Sequence, residues 1–183
     1  MPAADRQGEI LLRLARAAIA RRFGLMLECS DNETFLHEPG ASFVTLKYEG
    51  RLRGCIGSLQ AHRPLREDIT HNAQAAAFRD PRFSPLSAAE YNQIALEVSL
   101  LSPLTPMRVE DEADALDQLR PGVDGVVLQH GSKRGTFLPQ VWDSLPDPGQ
   151  FLTELKRKAG LAAHFWSADV QLFRYGVYKW TED

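Results

Sequence analysis

Between residues 94 and 100 the chain alternates: Ile94, Leu96, Val98 and Leu100 fall on one side, Ala95, Glu97 and Ser99 on the other. A period of two is that of a strand with one face buried and one wet. The start of the chain keeps a different rhythm. Ile10, Leu11, Leu14 and Ala18 recur at three- and four-residue steps, which predicts a first helix with an inward apolar stripe. Leu65, Ile69, Ala73, Ala76 and Ala77 repeat that spacing behind Pro64, a residue suited to a helix's first turn.

The remaining elements follow from breakers and caps. CSDNETFLHEPGA, residues 29–41, is polar and turn-rich and reads as a long loop. SFVTLKYEGRLRGCIGSL, residues 42–59, is two β-like runs around Gly50. Residues 110–119 are acidic and predict a short helix. DGVVLQHGSKRGTFLPQV, residues 124–141, predicts a second hairpin turning between Gly131 and Gly135. In 147–161 Asp147 is placed to cap a helix that Gly160 stops. DVQLFRYGVYKW, residues 169–180, reads as one strand. Strands and helices mix without a regular βαβ rhythm, so an α+β fold on a mainly antiparallel sheet flanked by helices is expected. Neither repeat nor linker divides the 183 residues, so one domain over 1–183 is expected, with room for a two-lobed organisation.

The stretch GRLRGCIGSL, residues 50–59, is where chemistry enters. Alternation puts Arg51, Arg53 and Cys55 on one face and Leu52, Gly54 and Ile56 on the other. A three-residue loop, Tyr48-Glu49-Gly50, with Gly50 as a left-handed bulge, would pair Lys47 with Arg51, Leu46 with Leu52 and Phe43 with Cys55. Val44, Leu46, Leu52 and Ile56 would then make one apolar face. A two-residue loop would bring Tyr48, Leu46 and Val44 beside the arginines, and register follows the apolar pattern. In the preferred register Cys55 points away from the main core, among positive charges that favour a thiolate, and Gly54 and Gly57 open the space around the sulfur. The candidate site is therefore Cys55 as nucleophile or redox-active thiol, with Arg51, Arg53, Gly54 and Gly57 binding an anionic group. The structural reading beside it is a Cys55 that acts as a small hydrophobe under a helix. Arg82, in FRDPRF, is a further candidate anion clamp; the alternative is an Asp-Pro turn in which an arginine pairs Asp80.

Composition narrows the classes. Hydrophobic residues make up 44% and charged residues 25%, as in ordinary globular proteins. A net charge of −3 argues against a nucleic-acid footprint over the whole chain. No window reaches the roughly 18 apolar residues of a membrane span. Arg13, Arg16, Arg21 and Arg22 interrupt what would be a signal peptide's apolar core. Cys29 and Cys55 are the only cysteines, which disfavours a disulfide scaffold and a thiolate zinc site and makes the cytoplasm the expected address. None of the five histidines (His37, His62, His71, His130, His164) sits in a metal-binding spacing, so neither metal nor cofactor is expected.

LRGCIGSL at 52–59 resembles the hallmark of the AMMECR domain family. The resemblance continues in order through PL at 64–65, NAQAAAFRDPRFSPL at 72–86, EVSLLSP at 97–103, DGVVL at 124–128, RGTFLPQV at 134–141, FLTELKRKAGL at 151–161 and Trp166. One block departs from the family pattern: Lys156 or a neighbour stands where a cysteine is common. The resemblance implies a larger lobe on an antiparallel sheet with a smaller lobe of helices and strands. In prokaryotes it implies a protein A of the AmmeMemoRadiSam system, accompanied by a radical SAM protein and a Memo-type, dioxygenase-like protein. On that basis the expected function is a thiol-dependent enzyme or modification factor centred on Cys55; the alternative is a non-catalytic adaptor.

Overall fold

The computed structural model describes residues 3–29 and 32–182 and contains two compact units, 1–101 with 178–183, and 102–177. Its architecture is α+β: helices on two antiparallel four-stranded sheets. In the first unit α1 (Ala3–Ala20) and α2 (Leu65–Phe78) cover one face of a sheet ordered β2-β1-β3-β8. The strands are β1 (Ser42–Tyr48), β2 (Arg51–Gly57), β3 (Ile94–Leu101) and β8 (Val177–Thr181). Leu11, Leu14 and Ala18 of α1 are buried as their spacing predicts, though Ile10 is only half-buried. With Ile69, Ala73 and Ala76 they close on Val44, Leu46, Leu96 and Val98 of the sheet. Among the described residues of the loop 29–41, a short 3-10 turn, Thr34–Leu36, sends Leu36 into the same core. A four-residue helix, α3 (Ala88–Tyr91), opens on a reciprocal Ser87–Glu90 capping box.

The alternation over 94–100 places the apolar residues inward, but the opposite side of β3 is not wet. Glu97 and Ser99 are each only 8% exposed. Lys47 and Lys179, from the strands on either side, meet the Glu97 carboxylate with their ammonium groups at 3.1 and 3.2 Å.

The second unit has a sheet ordered β4-β7-β5-β6. Its strands are β4 (Thr105–Met107), β5 (Gly125–His130), β6 (Lys133–Phe137) and β7 (Gln171–Tyr175). Helix α4 (Glu112–Gln118) is the acidic segment, and α5 (Pro148–Lys158) is capped by Asp147, which accepts from Gln150 N–H at 2.8 Å. Trp142 stacks on Phe151 with ring centroids 3.7 Å apart. Lys156, on the inner side of α5, is buried, and its ammonium donates to Glu112 Oε1 at 2.6 Å. Residues 169–180 are not one strand. Gly176 exchanges two hydrogen bonds with Ser102, N–H to Oγ at 2.8 Å and C=O from N–H at 2.9 Å. That contact ends β7, and β8 then joins the other sheet.

Candidate functional site

The hairpin turns over two residues, not three. Tyr48 pairs with Arg51, and both Glu49 (φ 49°) and Gly50 (φ 74°) lie in the left-handed region, as a tight type I′ connection requires. The pairing then slips between Leu46 and Lys47: Leu46 faces Gly54 and Lys47 faces Leu52, leaving Arg53 as an inserted residue. The sequence offers a choice between a turn that buries charge and a three-residue loop, and the bulge removes that choice. It shifts the phase by one residue, so the short turn and an inward face of Val44, Leu46, Gly54 and Ile56 coexist.

The slip also separates the proposed partners. Cys55 faces Thr45 on the side of the sheet away from α1 and α2, joined there by Leu52, which is 46% exposed. Arg51 lies opposite Tyr48, across the phase shift from the sulfur. Arg53 reaches Glu90 in a bidentate pair at 2.8 and 3.3 Å, with its guanidinium over the Phe83 ring. Arg51 therefore does not share a face with Cys55, and the Arg53 guanidinium is engaged by Glu90 and not by the sulfur. Nor do the glycines open a hollow at the sulfur. A Cβ on Gly54 would lie 2.2 Å from the Ala76 carbonyl oxygen of α2, and one on Gly57 would lie 2.2 Å from the Phe43 ring. Both absences are filled by packing.

Arg82 does come to Cys55, in an unexpected role. β2 is an edge strand, and Cys55 turns its backbone N–H and C=O outward. Asp80 Oδ2 accepts the N–H at 2.9 Å, Arg82 Nη2 donates to the C=O at 3.2 Å, and the two side chains pair at 2.7 Å. This clamp occupies the place of a next strand and blocks edge-to-edge pairing. The Asp80–Arg82 pair anticipated for the Asp-Pro turn is present. Arg82 stays half exposed.

Around the sulfur the side chains form a row across three strands and on to β8. Thr45 Oγ1 donates to Cys55 Sγ at 3.2 Å, as the close approach of a non-hydrogen-bonded pair permits. Thr45 in turn faces Glu97, which meets Lys47 and Lys179. Burial pushes the Glu97 carboxyl up, but hydrogen bonds and charge from both lysines outweigh it and leave the group below its ordinary value. Cys55 itself is half-buried. His62 and His71 are exposed and bond Gln60 O and Asn72 Oδ1. Among the described residues no group of three or more His, Cys, Asp or Glu side chains is placed to hold a metal, and no helix is long and apolar enough to cross a membrane.

Two acids beside the hairpin are strongly shifted. The Arg82 hydrogen bond, against the cost of burial, and the N–H groups of Cys55 and Arg82 hold Asp80 well below the carboxylate range. Arg53, then the Ser87 N–H, bring Glu90 from 4.5 to about 2. Both folded-state values are depressed, so the stability they contribute is complete above the ordinary carboxylate range, about pH 4, and drains as pH falls through the folded values. The urea midpoint is expected to drop between pH 4.5 and 2, with a shallower slope for Asp80→Asn and Glu90→Gln. Slopes equal to the parent's would show that these pairs do not govern acid sensitivity.

Sequence patterning missed the role of Asp68. Asp68 and Asn72 lie in the apolar stripe of α2 and are buried, 0% and 1% exposed. Asp68 accepts from Ser42 N–H (2.8 Å), Ser42 Oγ (2.7 Å), Ser58 Oγ (2.6 Å), Asn72 Nδ2 (3.0 Å) and Arg63 Nε (3.0 Å). The available signal was two polar residues four apart in register with Leu65, Ile69, Ala73 and Ala76.

Comparison with known proteins places this geometry among relatives. The AMMECR1 family model matches residues 12–180. A protein of Methanothermobacter thermautotrophicus is 35% identical over 192 aligned positions, covering 100% of this chain and 97% of its own length. One from Sulfolobus acidocaldarius is 39% identical over 171, covering 87% of this chain and 74% of its own. The crystal structure of the uncharacterized protein PH0010 from Pyrococcus horikoshii superposes with a TM-score of 0.75 at 33% identity, covering 96% of this chain and 91% of that one.

Proposed function

Because the chain belongs to the AMMECR1 family, we propose that its working surface is the helix-free side of the β2-β1-β3-β8 sheet, with the Cys55 thiol as its reactive centre. The reading rests on one observation: a half-buried cysteine whose sulfur accepts a hydrogen bond from Thr45 at 3.2 Å, in a row with Glu97 and its two lysines. Lys47 and Lys179 together exceed the charge of Glu97 by one, which favours an anionic substrate. The Cys55 thiol meets that substrate, Thr45 holds the sulfur in place, and Arg82, half exposed at the strand edge and paired with Asp80, is a further cation beside Cys55. The substrate is one shared with a radical SAM protein and a Memo-type protein in the cytoplasm.

Iodoacetamide labelling followed by peptide mapping tests the reading. Cys55 is expected to alkylate in the folded protein, and Thr45→Val to change its rate several-fold while Cys29 keeps its own. A Cys55 that labels only after unfolding would remove the thiol from the function. A second reading, a non-catalytic adaptor, draws on the commitment of Gly54, Gly57 and Arg53 to internal packing. It is favoured if Arg51→Glu abolishes capture of a radical SAM or Memo-type protein that Cys55→Ser still captures.

A further inference from the structure

Beyond the sheet face, the first unit has a hollow of about 480 Å3 where the end of α1 meets the end of α2. Its lining is Arg21, Arg22, Gln74, Phe78 and Arg79. Arg21 and Arg22 belong to the 3-10 turn that continues α1, and Arg79 is the residue that closes α2. All three arginines are exposed. Among the described residues, no ion pair or side-chain hydrogen bond occupies any of their guanidinium groups.

Three cations without a partner among the described residues, around one hollow in a chain of net charge −3, are an unusual arrangement. Like charges so placed repel, and the field they focus attracts a multivalent anion. Helix C-termini do favour cations, yet none of these guanidinium groups bonds a terminal carbonyl among the described residues. The helix ends therefore explain basic residues here, not their convergence. The other two lining groups are not anion ligands. Phe78 is half-buried, its ring edge-on to Phe23 with centroids 5.7 Å apart, so it is fixed in place. Gln74 is anchored by its Nε2 donating to the Ala18 carbonyl at 3.2 Å, which leaves its Oε1 as an acceptor.

We infer that this hollow binds a small organic phosphate of the nucleotide class, its phosphate held by Arg21, Arg22 and Arg79 and its flat heterocycle lying on Phe78 beside the Gln74 amide oxygen. Guanidinium groups suit phosphate because their N–H donors match its oxygens in pairs. A planar base gains from an aromatic ring. The volume lies within the roughly 300–1,000 Å3 of small-molecule sites. The inference is independent of the thiol reading and uses no residue of that surface.

Calorimetric titration of the full chain decides it, with AMP, ribose 5-phosphate, inorganic phosphate and a single-stranded RNA of about twelve residues as probes. AMP is expected to saturate at one per chain. Ribose 5-phosphate should bind about tenfold more weakly, for want of the base. Arg22→Ser and Arg79→Ser, exposed positions whose folding circular dichroism checks, should each weaken AMP about tenfold, the loss of one charge-assisted contact. The inference is overturned by absence of saturation with AMP, by equal affinity for AMP and inorganic phosphate, or by variants that bind as the parent does. RNA binding a hundredfold tighter than AMP would overturn it in favour of a polynucleotide site.

Discussion

Asp68→Ala is expected to lower the unfolding free energy by about 4 kcal/mol, the upper range for single substitutions. The carboxylate is fully buried and takes five hydrogen bonds, from Ser42, Ser58, Arg63 and Asn72. Removing it leaves a backbone N–H, two hydroxyls, an amide and a guanidinium without their acceptor, and a buried donor left unsatisfied costs about 1–3 kcal/mol. The sum is not additive, because Asn72 Nδ2 keeps the Ser42 carbonyl at 3.0 Å and the hydroxyls can turn. At roughly 3 °C per kcal/mol for a chain of this size, the melting temperature should fall by about 12 °C. Asp68→Asn, which keeps the shape and one acceptor oxygen, should lose about half as much. A loss below about 1 kcal/mol for Asp68→Ala would mean that the network is incidental. Its position explains the size of the effect. Ser42 opens β1, Ser58 follows β2, and Asp68 and Asn72 lie on α2, so one carboxylate fixes the open end of the hairpin to the helix that covers it.

Much of this arrangement was legible in the residues because hydrophobic burial is periodic. The helix 65–78, the strand 94–101 and the capped helix behind Asp147 follow directly from spacing and caps, and the family resemblance of LRGCIGSL is matched by the AMMECR1 family model over 12–180. What the spacing could not give was phase. Alternation is a local rule, and a single inserted residue resets it. Arg53 is that residue, and it moves Leu52 out of the core face and separates Arg51 from Cys55. Nothing in RLRGC announces the insertion, because what drives it is tertiary: Glu90 and Phe83, some thirty residues on, receive the guanidinium. The clamp of Asp80 and Arg82 is tertiary in the same sense. An Asp-Pro-Arg turn predicts that the two side chains pair, and only the strand edge beside them shows what the pair holds. Alternation alone gives Glu97 a wet face; the lysines that pair with it come from β1 and β8.

Gly54→Ala should cost about 3 kcal/mol, at the severe end of overpacking, and Gly57→Ala about 1 kcal/mol, although the space missing at the two positions is the same 2.2 Å. The difference lies in what must move. The added methyl at Gly54 meets the Ala76 carbonyl oxygen, a backbone atom in the last turns of α2, and Ala73, Ala76 and Ala77 of that helix are buried to within 1%. Relief therefore requires the helix to lift from the sheet along its length, opening contacts to Leu46 and Leu96. At Gly57 the obstacle is the ring of Phe43, a half-buried side chain that can swing aside without moving backbone. Thermal melts of both variants measure the gap, expected near 6 °C at roughly 3 °C per kcal/mol. Equal melting points would show that α2 yields as easily as a phenyl ring, and the glycine before Cys55 would lose its explanation as the point where helix and hairpin touch. A gap of the expected size has a further consequence for the thiol. The backbone that carries Cys55 is then pressed from one side by α2 and held along its edge by Asp80 and Arg82, so the sulfur is presented to the opposite face by a strand with little freedom to retreat.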